Sequence, residues 1–401
     1  MKNEFLQIHT LTSYPAVLLN RDDAGFAKRI PFGGVVRTRI SSQCLKRHWR
    51  TYSGQGSLQE IEGTDLSIRS RLSFNEFVLK PLLEEGVDNS IAVAVVQAIV
   101  SKVLGESEKA RKSRTEASDE EEGEGTVLQT SQVTVLGRPE LRFLLDTARQ
   151  VCSEADDPKN ATKIVNDLFK KETGKNLKGL KAASGLDAAM FGRMVTSDIL
   201  TRGDAAIHVA HAFTVHGESS ESDYFSAVDD LLAAEGELGS GHINSVELNS
   251  GLYYGYVVVD VPLLVSNLEG CERDDWQRVD RSLAAEVVKR LISIIATVSP
   301  GAKLGSTAPH SYAQMVLLEA GDTQPRTLAN AFLEPVSESP NLLANAYRAL
   351  GYHIADLDRA YGKTSERRLM CLGPVEELQE GQSLSLEELS KWASGKIMEI
   401  K

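Results

Sequence analysis

The sequence predicts an α+β fold in which an antiparallel sheet carries helices and accepts one long helical insertion. Strand patterns open the chain at Phe5–Leu11 and return at Ala205–Val215, Val246–Val261 and Ser311–Glu319. Helical patterns fill much of residues 58–182 and reappear at Arg281–Val298, where Leu283, Val287, Val288, Leu291, Ile292 and Ile295 form one apolar stripe. Within the insertion, Gly105–Gly125 is low-complexity and acidic, too polar to bury surface, and reads as a mobile loop.

The 401 residues are 42% apolar and 25% charged, enough for a sizeable core in two or three domains. This composition excludes collagen-like, disulfide-stapled and fully disordered chains. No run approaches the roughly 18 apolar residues of a membrane helix, and the start Met1-Lys2-Asn3-Glu4 has no signal-peptide core. Cys44, Cys152, Cys271 and Cys371 lie far apart without a CxxC pair, which suits reduced thiols in a cytoplasm.

In order, Phe5–Leu11 alternates apolar and polar residues, and Thr12-Ser13-Tyr14-Pro15 is expected to end that strand. Asn20–Gly34 reads as a polar, glycine-punctuated loop. Ser41-Ser42 is an N-cap pair for a basic helix over Gln43–Tyr52, on which Lys46, Arg47 and Arg50 project from one sector. Helices follow at Phe77–Glu85, Ile91–Leu104, Glu140–Ala155 and Ala161–Lys171. Ala189–Val195 is apolar and strand-like. Setting the insertion aside, the order β, α, β, β, α, β is that of the split βαβ ferredoxin-like fold, which RNA-recognition domains use.

Charge is unevenly spread over a chain of net charge −12. Arg21–Arg50 holds eight basic residues against Asp22 and Asp23, and Lys163–Lys181 holds six lysines against Asp167 and Glu172. Glu116–Glu124 carries six acids and no base. Two basic islands on an acidic chain point to a polyanion met on one face. Within the first island, Gly33-Gly34 lets backbone amides approach phosphates. Ser41, Ser42 and Gln43 offer donors at a helix N-terminus, and Lys46, Arg47 and Arg50 line the helix that follows. Such contacts grip backbone without reading sequence. Arg37 and Arg39 also stand where pairing with Asp22 or Asp23 would explain them. No RNP-type aromatic pattern marks a base-reading strand.

Signs of catalysis are weaker. His208, His211 and His216 cluster, but alternate sides of a strand, and no cysteine or carboxylate accompanies them at ligand spacing. Asp22-Asp23 could hold a metal, although bonds to loop amides or pairing with nearby arginines explain the pair better. There is no P-loop, GxSxG or strand-bound GxGxxG. No enzyme, cofactor or metal site is expected.

The run Leu19-Asn20-Arg21-Asp22-Asp23, Phe32-Gly33-Gly34, Arg37, Arg39-Ile40-Ser41-Ser42-Gln43 and Leu45-Lys46-Arg47 resembles the CasC-type backbone subunits of the type I-E CRISPR Cascade complex. The likeness continues through Phe191–Ser197, Asp204–Ala206, His208–Ala212, Phe225–Leu231, Ser250–Tyr254, Pro300–Lys303 and Ala329–Phe332. It implies a modified RNA-recognition palm, residues 1–57, 183–192 (a strand) and 247–335. It also implies helical fingers over 58–182, a β-hairpin thumb and loops over 193–246, and a C-terminal wrapping segment over 336–401. Arg21, Lys28, Ser42, Gln43, Lys46, Arg47 and Arg50 look like guide-backbone contacts, with Lys303 a further candidate. Met194 looks like a wedge against a kinked base, with Tyr224 and Phe225 near the thumb's aromatic pair, where the family often has Trp first. The implied partners are CRISPR RNA, target DNA paired to it, further copies of the chain along the guide, the large, small and RNA-end-capping subunits, and a recruited helicase-nuclease. A competing reading is a type III-like guide-dependent endoribonuclease, with Asp198 or Asp204 as the acid to examine.

Overall fold

A computed structural model describes residues 4–105, 127–171, 185–193, 203–228, 240–373, 378 and 383–399. In chain order the strands are β1 (Phe5–Val17), β2 (Arg29–Phe32), β3 (Val35–Ile40), β4 (Ile68–Ser70), β5 (Thr134–Leu136), β6 (Ile207–Val209), β7 (Ala212–Thr214), β8 (Ser220–Val228), β9 (Ser240–Asp260), β10 (Ala313–Gly321) and β11 (Glu366–Cys371). The helices used below are α1 (Ser42–Thr51), α2 (Asn89–Leu104), α3 (Arg138–Glu154), α4 (Pro158–Lys171), α5 (Leu186–Phe191), α6 (Ser282–Thr297), α7 (Leu342–Tyr361) and α8 (Leu386–Met398). The chain forms two compact units, one of residues 1–61, 208–261 and 281–401, the other of 62–207 and 262–280.

The first unit is built on a sheet ordered β11-β10-β1-β9-β7-β3-β2, antiparallel throughout. Its core, β10-β1-β9-β7 with α1 and α6 in the crossovers, is the split βαβ order expected from the sequence. Because side chains alternate along a strand, β1 has to satisfy two interiors. On one face Ile8 and Thr10 meet α1 through Leu45 and Trp49, and α6 through Ile295, around a void of about 40 Å³. On the other, Leu11, Leu252, Tyr254, Met315, Leu317 and Leu369 form a core with Leu328 and Phe332 and with Tyr347, Leu350 and Ile354 of α7. Both faces of the central strands β10, β1 and β9 are closed.

The second unit has its own core. α2 is apolar nearly all round, burying Val95, Val96, Ile99, Val100 and Val103 against Leu141, Leu144, Ala148 and Val151 of α3 and Val165 of α4. The buried Asp187 carboxylate accepts from Ser67 N (2.6 Å), Ser67 Oγ (2.8 Å) and Arg69 (2.8 Å). Arg193 and Glu140 form a buried ion pair at 2.7 Å.

Several expectations need correction. β1 does not stop at Thr12–Pro15 but runs to Val17 through a register shift after Tyr14, an irregularity that accommodates the missing N–H of Pro15. The 20–34 loop contains β2, joined to β3 by Gly33-Gly34 with φ of 63° and 81°, the two-residue hairpin turn that strand twist favours. In place of the strand expected over Ala189–Val195, and of the palm strand expected over 183–192, the described residues Leu186–Phe191 form the short helix α5, ended at Gly192; residues 183–184 and 194–195 lie outside the described residues. A short apolar run carries too few periods to separate strand from buried helix. Ala205–Val215 is two short strands, with the break at Ala210–His211. The acidic loop falls almost wholly outside the described residues. No described helix is long and apolar enough to cross a membrane.

At one end of the closed sheet sits a buried carboxylate. Glu319 accepts from His9 Nε2 (3.1 Å), both terminal nitrogens of Arg326 (2.7 and 3.1 Å), Arg367 Nε (2.7 Å) and Ser365 Oγ (3.1 Å). Burial alone would raise the Glu319 carboxyl, but the bonds and charges of His9 and Arg326 hold it far below the usual carboxylate range. Burial pushes His9 below its ordinary value, outweighing the pull of Glu319. Unfolded His9 therefore binds a proton near pH 6.5 that the folded protein refuses, so its stabilisation is full above that pH and lost below it. Glu319 adds a second loss at lower pH, beneath the ordinary carboxylate range. The melting temperature should be flat above about pH 7 and fall between pH 6.5 and 5, and His9→Gln should make that fall shallower. Melting curves across this range decide it; identical slopes for the two proteins would remove His9 from the account.

Candidate nucleic-acid interface

The first basic island folds around the junction of β3 and α1. The 18–28 loop is tied to that junction by Lys28 N to Asn20 O (2.9 Å), Arg39 N to Lys28 O (2.7 Å) and Ser41 N to Asn20 Oδ1 (2.9 Å). Ser41, rather than Ser42, caps α1, its hydroxyl accepting from Cys44 N at 3.3 Å. Leu45 and Trp49 bury one side of the helix, leaving Gln43 and Arg47 exposed and Lys46 and Arg50 half-buried. Ala302 N donates to Leu18 O (2.9 Å) and Gly301 N to His48 Nε2 (3.4 Å), which brings Lys303 to the same region.

The structure divides the island's cations into two groups. Arg29 is neutralised by Glu218 (2.5 Å) and Glu247. Arg37 is fully buried and donates to three carbonyls: Phe32 (3.1 Å), Thr214 (3.2 Å) and Phe332 (2.9 Å). Burial lowers its pKa. Neither Arg37 nor Arg39 pairs with Asp22 or Asp23. Asp22 accepts from Phe26 N at 2.9 Å, closing its own loop, and Arg39 donates to Arg29 O (3.0 Å) and His211 Nδ1 (2.9 Å). In contrast, the side chains of Arg21, Lys28 and Arg47 make no ion pair or hydrogen bond among the described residues. Lys28 and Arg47 both act electrostatically on Cys44, and Lys28 and Arg39 on His211, which places these cations around one patch.

Gly33 has a different use from the one read in the sequence. A Cβ there would lie 1.6 Å from Leu333 O, whereas one at Gly34 would meet open space. The β2–β3 turn is thus pressed onto the segment that covers the sheet, with Arg37 bonded across the same contact.

Tyr224 and Phe225 stand on β8, opposite Ser245 and Asn244 of β9, and are 64% and 42% exposed. As sequence neighbours in a strand they project from opposite faces of the hairpin. Met194 and Asp198 lie outside the described residues. Asp204 is described, and its carbonyl accepts from Asn267 at 3.0 Å. The three histidines do not share one strand. His216 is buried, donating to Gly217 O (2.7 Å) and accepting from Leu252 N (3.2 Å), while His211 is exposed at the strand break. No group of three or more potential metal ligands occurs among the described residues.

The sequence reading passed over one aromatic row. His9, Phe213, Tyr254 and Tyr256 line the second sheet face, with His9 stacked on Tyr256 at 4.9 Å between ring centres. Tyr254 and Tyr256, two apart on a predicted strand, were the available signal. The row is not a base platform, because Leu328, Phe332 and α7 pack over it.

A family model described as CT1975-like protein matches residues 6–393. A chain of a solved structure titled "CRISPR RNA-guided surveillance complex, pre-nicking" is similar at 25% identity and a TM-score of 0.73, covering 98% of this chain and 100% of its own. A chain of a second, titled "CRISPR RNA-guided surveillance complex", shares the fold at 21% identity and a TM-score of 0.66, with 98% and 99% covered. No curated protein matches.

The two turn glycines provide a direct check on this geometry. Gly34→Ala should cost about 1–2 kcal/mol, the strain of a positive φ. Gly33→Ala should cost clearly more, because the added methyl also overlaps a backbone carbonyl. Denaturant unfolding of both variants measures the difference, and equal losses would contradict the packing of the turn on Leu333.

Proposed function

We infer, from the fact that this chain belongs to the CT1975-like protein family, that it is an RNA-gripping backbone subunit of a CRISPR RNA-guided surveillance complex. In this reading it is a type I-E, CasC-like subunit of a Cascade-type assembly. Copies line up along the guide, hold its phosphates without sequence preference and present its bases to target DNA, alongside the other Cascade subunits. The role is binding, not catalysis, and the setting is the cytoplasm.

The observation that carries this reading is the patch of uncompensated cations, Arg21, Lys28 and Arg47, beside the N-terminus of α1. On a chain of net charge −12, with acids available to neutralise Arg29 close by, cations kept free of carboxylates favour an anionic ligand. Gripping by phosphate suits a subunit that must accept any guide, since base pairing supplies the specificity. Repetition of the patch along one strand would add the contacts of each copy. Tyr224 and Phe225, exposed on the β8–β9 hairpin, are suited to stacking on bases, which every base tolerates.

Salt dependence tests the proposal. Single-stranded binding loses about 0.7 in the slope of log K against log salt for each phosphate contact removed. Lys28→Ala with Arg47→Ala should therefore flatten the slope by about 1.4 for RNAs of unrelated sequence, while Lys391→Ala on α8 leaves it unchanged. Filter binding at several salt concentrations gives the slopes, and a wild-type slope in the double variant would contradict the proposal.

A further inference from the structure

We propose that Glu247 is a positioning residue that clasps the 18–28 loop to the foot of the β8–β9 hairpin, so that the loop is ordered before any RNA arrives. This rests on the RNA-gripping reading above and adds to it an acid that touches no RNA.

Glu247 stands where β9 leaves the sheet. β1 pairs with β9 as far as Asn249, and two residues further along the hairpin Glu247 faces Ser222 of β8. Its side chain is only 8% exposed. One carboxylate oxygen accepts from Arg29 Nη2 and the other from Ala27 N at 3.0 Å. Ala27 is buried, forms an isolated antiparallel bridge with Arg21 across the loop, and directly precedes Lys28. The bond to Ala27 N therefore fixes the one residue that adjoins both cations. Elsewhere in the loop, Asp22 and Phe26 bond each other (2.8 and 2.9 Å), and Asn20 and Lys28 are tied to β3 and the start of α1. Glu247 adds the link to the hairpin that carries Tyr224 and Phe225.

Charge balance separates this bond from simple neutralisation. Arg29 meets two acids, Glu218 and Glu247, where one would cancel its charge. Among the described residues the Glu218 carboxylate accepts from Arg29 alone, whereas Glu247 also takes a loop amide. A surplus carboxylate beside a surface that meets a polyanion opposes binding through its charge. A loop already ordered favours binding, because no ordering entropy is lost when the ligand arrives. Glu247 is thus an acid whose charge and whose hydrogen bond act in opposite directions on the same equilibrium, and the hydrogen bond is the larger effect.

Two variants with equal charge changes and opposite expected outcomes test the clasp, using the full chain and single-stranded RNA of unrelated sequences. Glu218→Ala and Glu247→Ala each remove one acid beside Arg29. Glu218→Ala should bind as tightly as wild type or more tightly. Glu247→Ala should bind about tenfold more weakly, the size of one charge-assisted hydrogen bond, although the protein has become less acidic. Glu247→Gln, whose amide oxygen can still accept from Ala27 N, should bind at least as tightly as wild type. Glu247→Asp keeps the charge but draws the carboxylate back by one methylene and should lose affinity; it decides the matter if Glu247→Ala does not fold. Hydrogen–deuterium exchange of the free proteins should be faster over residues 20–28 in Glu247→Ala than in Glu218→Ala. If wild type binds RNA and Glu247→Ala binds as tightly as Glu218→Ala, or the two exchange alike over 20–28, the clasp is wrong while the RNA-gripping reading stands. If wild type binds no RNA, that reading falls and the clasp with it.

Discussion

Burial of both faces at the centre of the antiparallel sheet is the constraint on which the rest of the first unit depends. α1 and α6 cover one face, and the 328–336 segment with α7 covers the other. β1, at the centre, has no solvent face to spare, so its polar side chains must find partners inside. His9 does so by linking Tyr254 to Glu319, and Gln7 by accepting from Tyr256 Oη (2.7 Å) and Arg326 N (2.8 Å). The aromatic side chains that an open sheet of this topology would offer to bases are spent on the core. The basic side chains lie instead at the rim of the sheet, where the 18–28 loop, the start of α1 and the 301–303 segment converge.

The same constraint sorts the arginines. Arg37 lies under the covering segment, and a buried guanidinium is tolerated there because three carbonyls take its protons. It works as a staple between β3, the strand end at Thr214 and the cover at Phe332. Arg29 lies at the foot of the β8–β9 hairpin and is neutralised there by Glu218 and Glu247. With these two committed to structure, the charge of the island resides in side chains around the loop and α1. Local charge counts overstate a binding surface until such internal uses are subtracted.

Much of the sheet was legible in the sequence, because Phe5–Leu11 alternates apolar and polar residues, Val246–Val261 is a long β-forming run, and α6 carries an unbroken apolar stripe. The basic helix was legible too, from the Ser41-Ser42 cap pair and the cations Lys46, Arg47 and Arg50. Three features were not. A seven-residue apolar run at Ala189–Val195 contains no period by which a short helix differs from a strand. β2 is exposed at Arg29, Ile30 and Pro31 and so lacks the apolar signal of a buried strand. The third is the closure of the second face, which joins residues some 240 to 310 positions apart, such as His9 with Tyr254 and Glu319. No local pattern encodes such contacts. At the candidate site, residue types and spacing named the cations, but only coordinates separate Arg29 and Arg37, which hold the fold together, from Arg21, Lys28 and Arg47.

The most direct test of the central claim is a lysine-acetylation footprint of the full chain with and without bound single-stranded RNA, read by mass spectrometry. RNA gripped at the rim should protect Lys28, Lys46 and Lys303 together, while Lys80 and Lys391, each paired with a glutamate on its own helical segment, keep their reactivity. Protection of Lys80 or Lys391 with Lys28 and Lys46 unchanged would contradict the account.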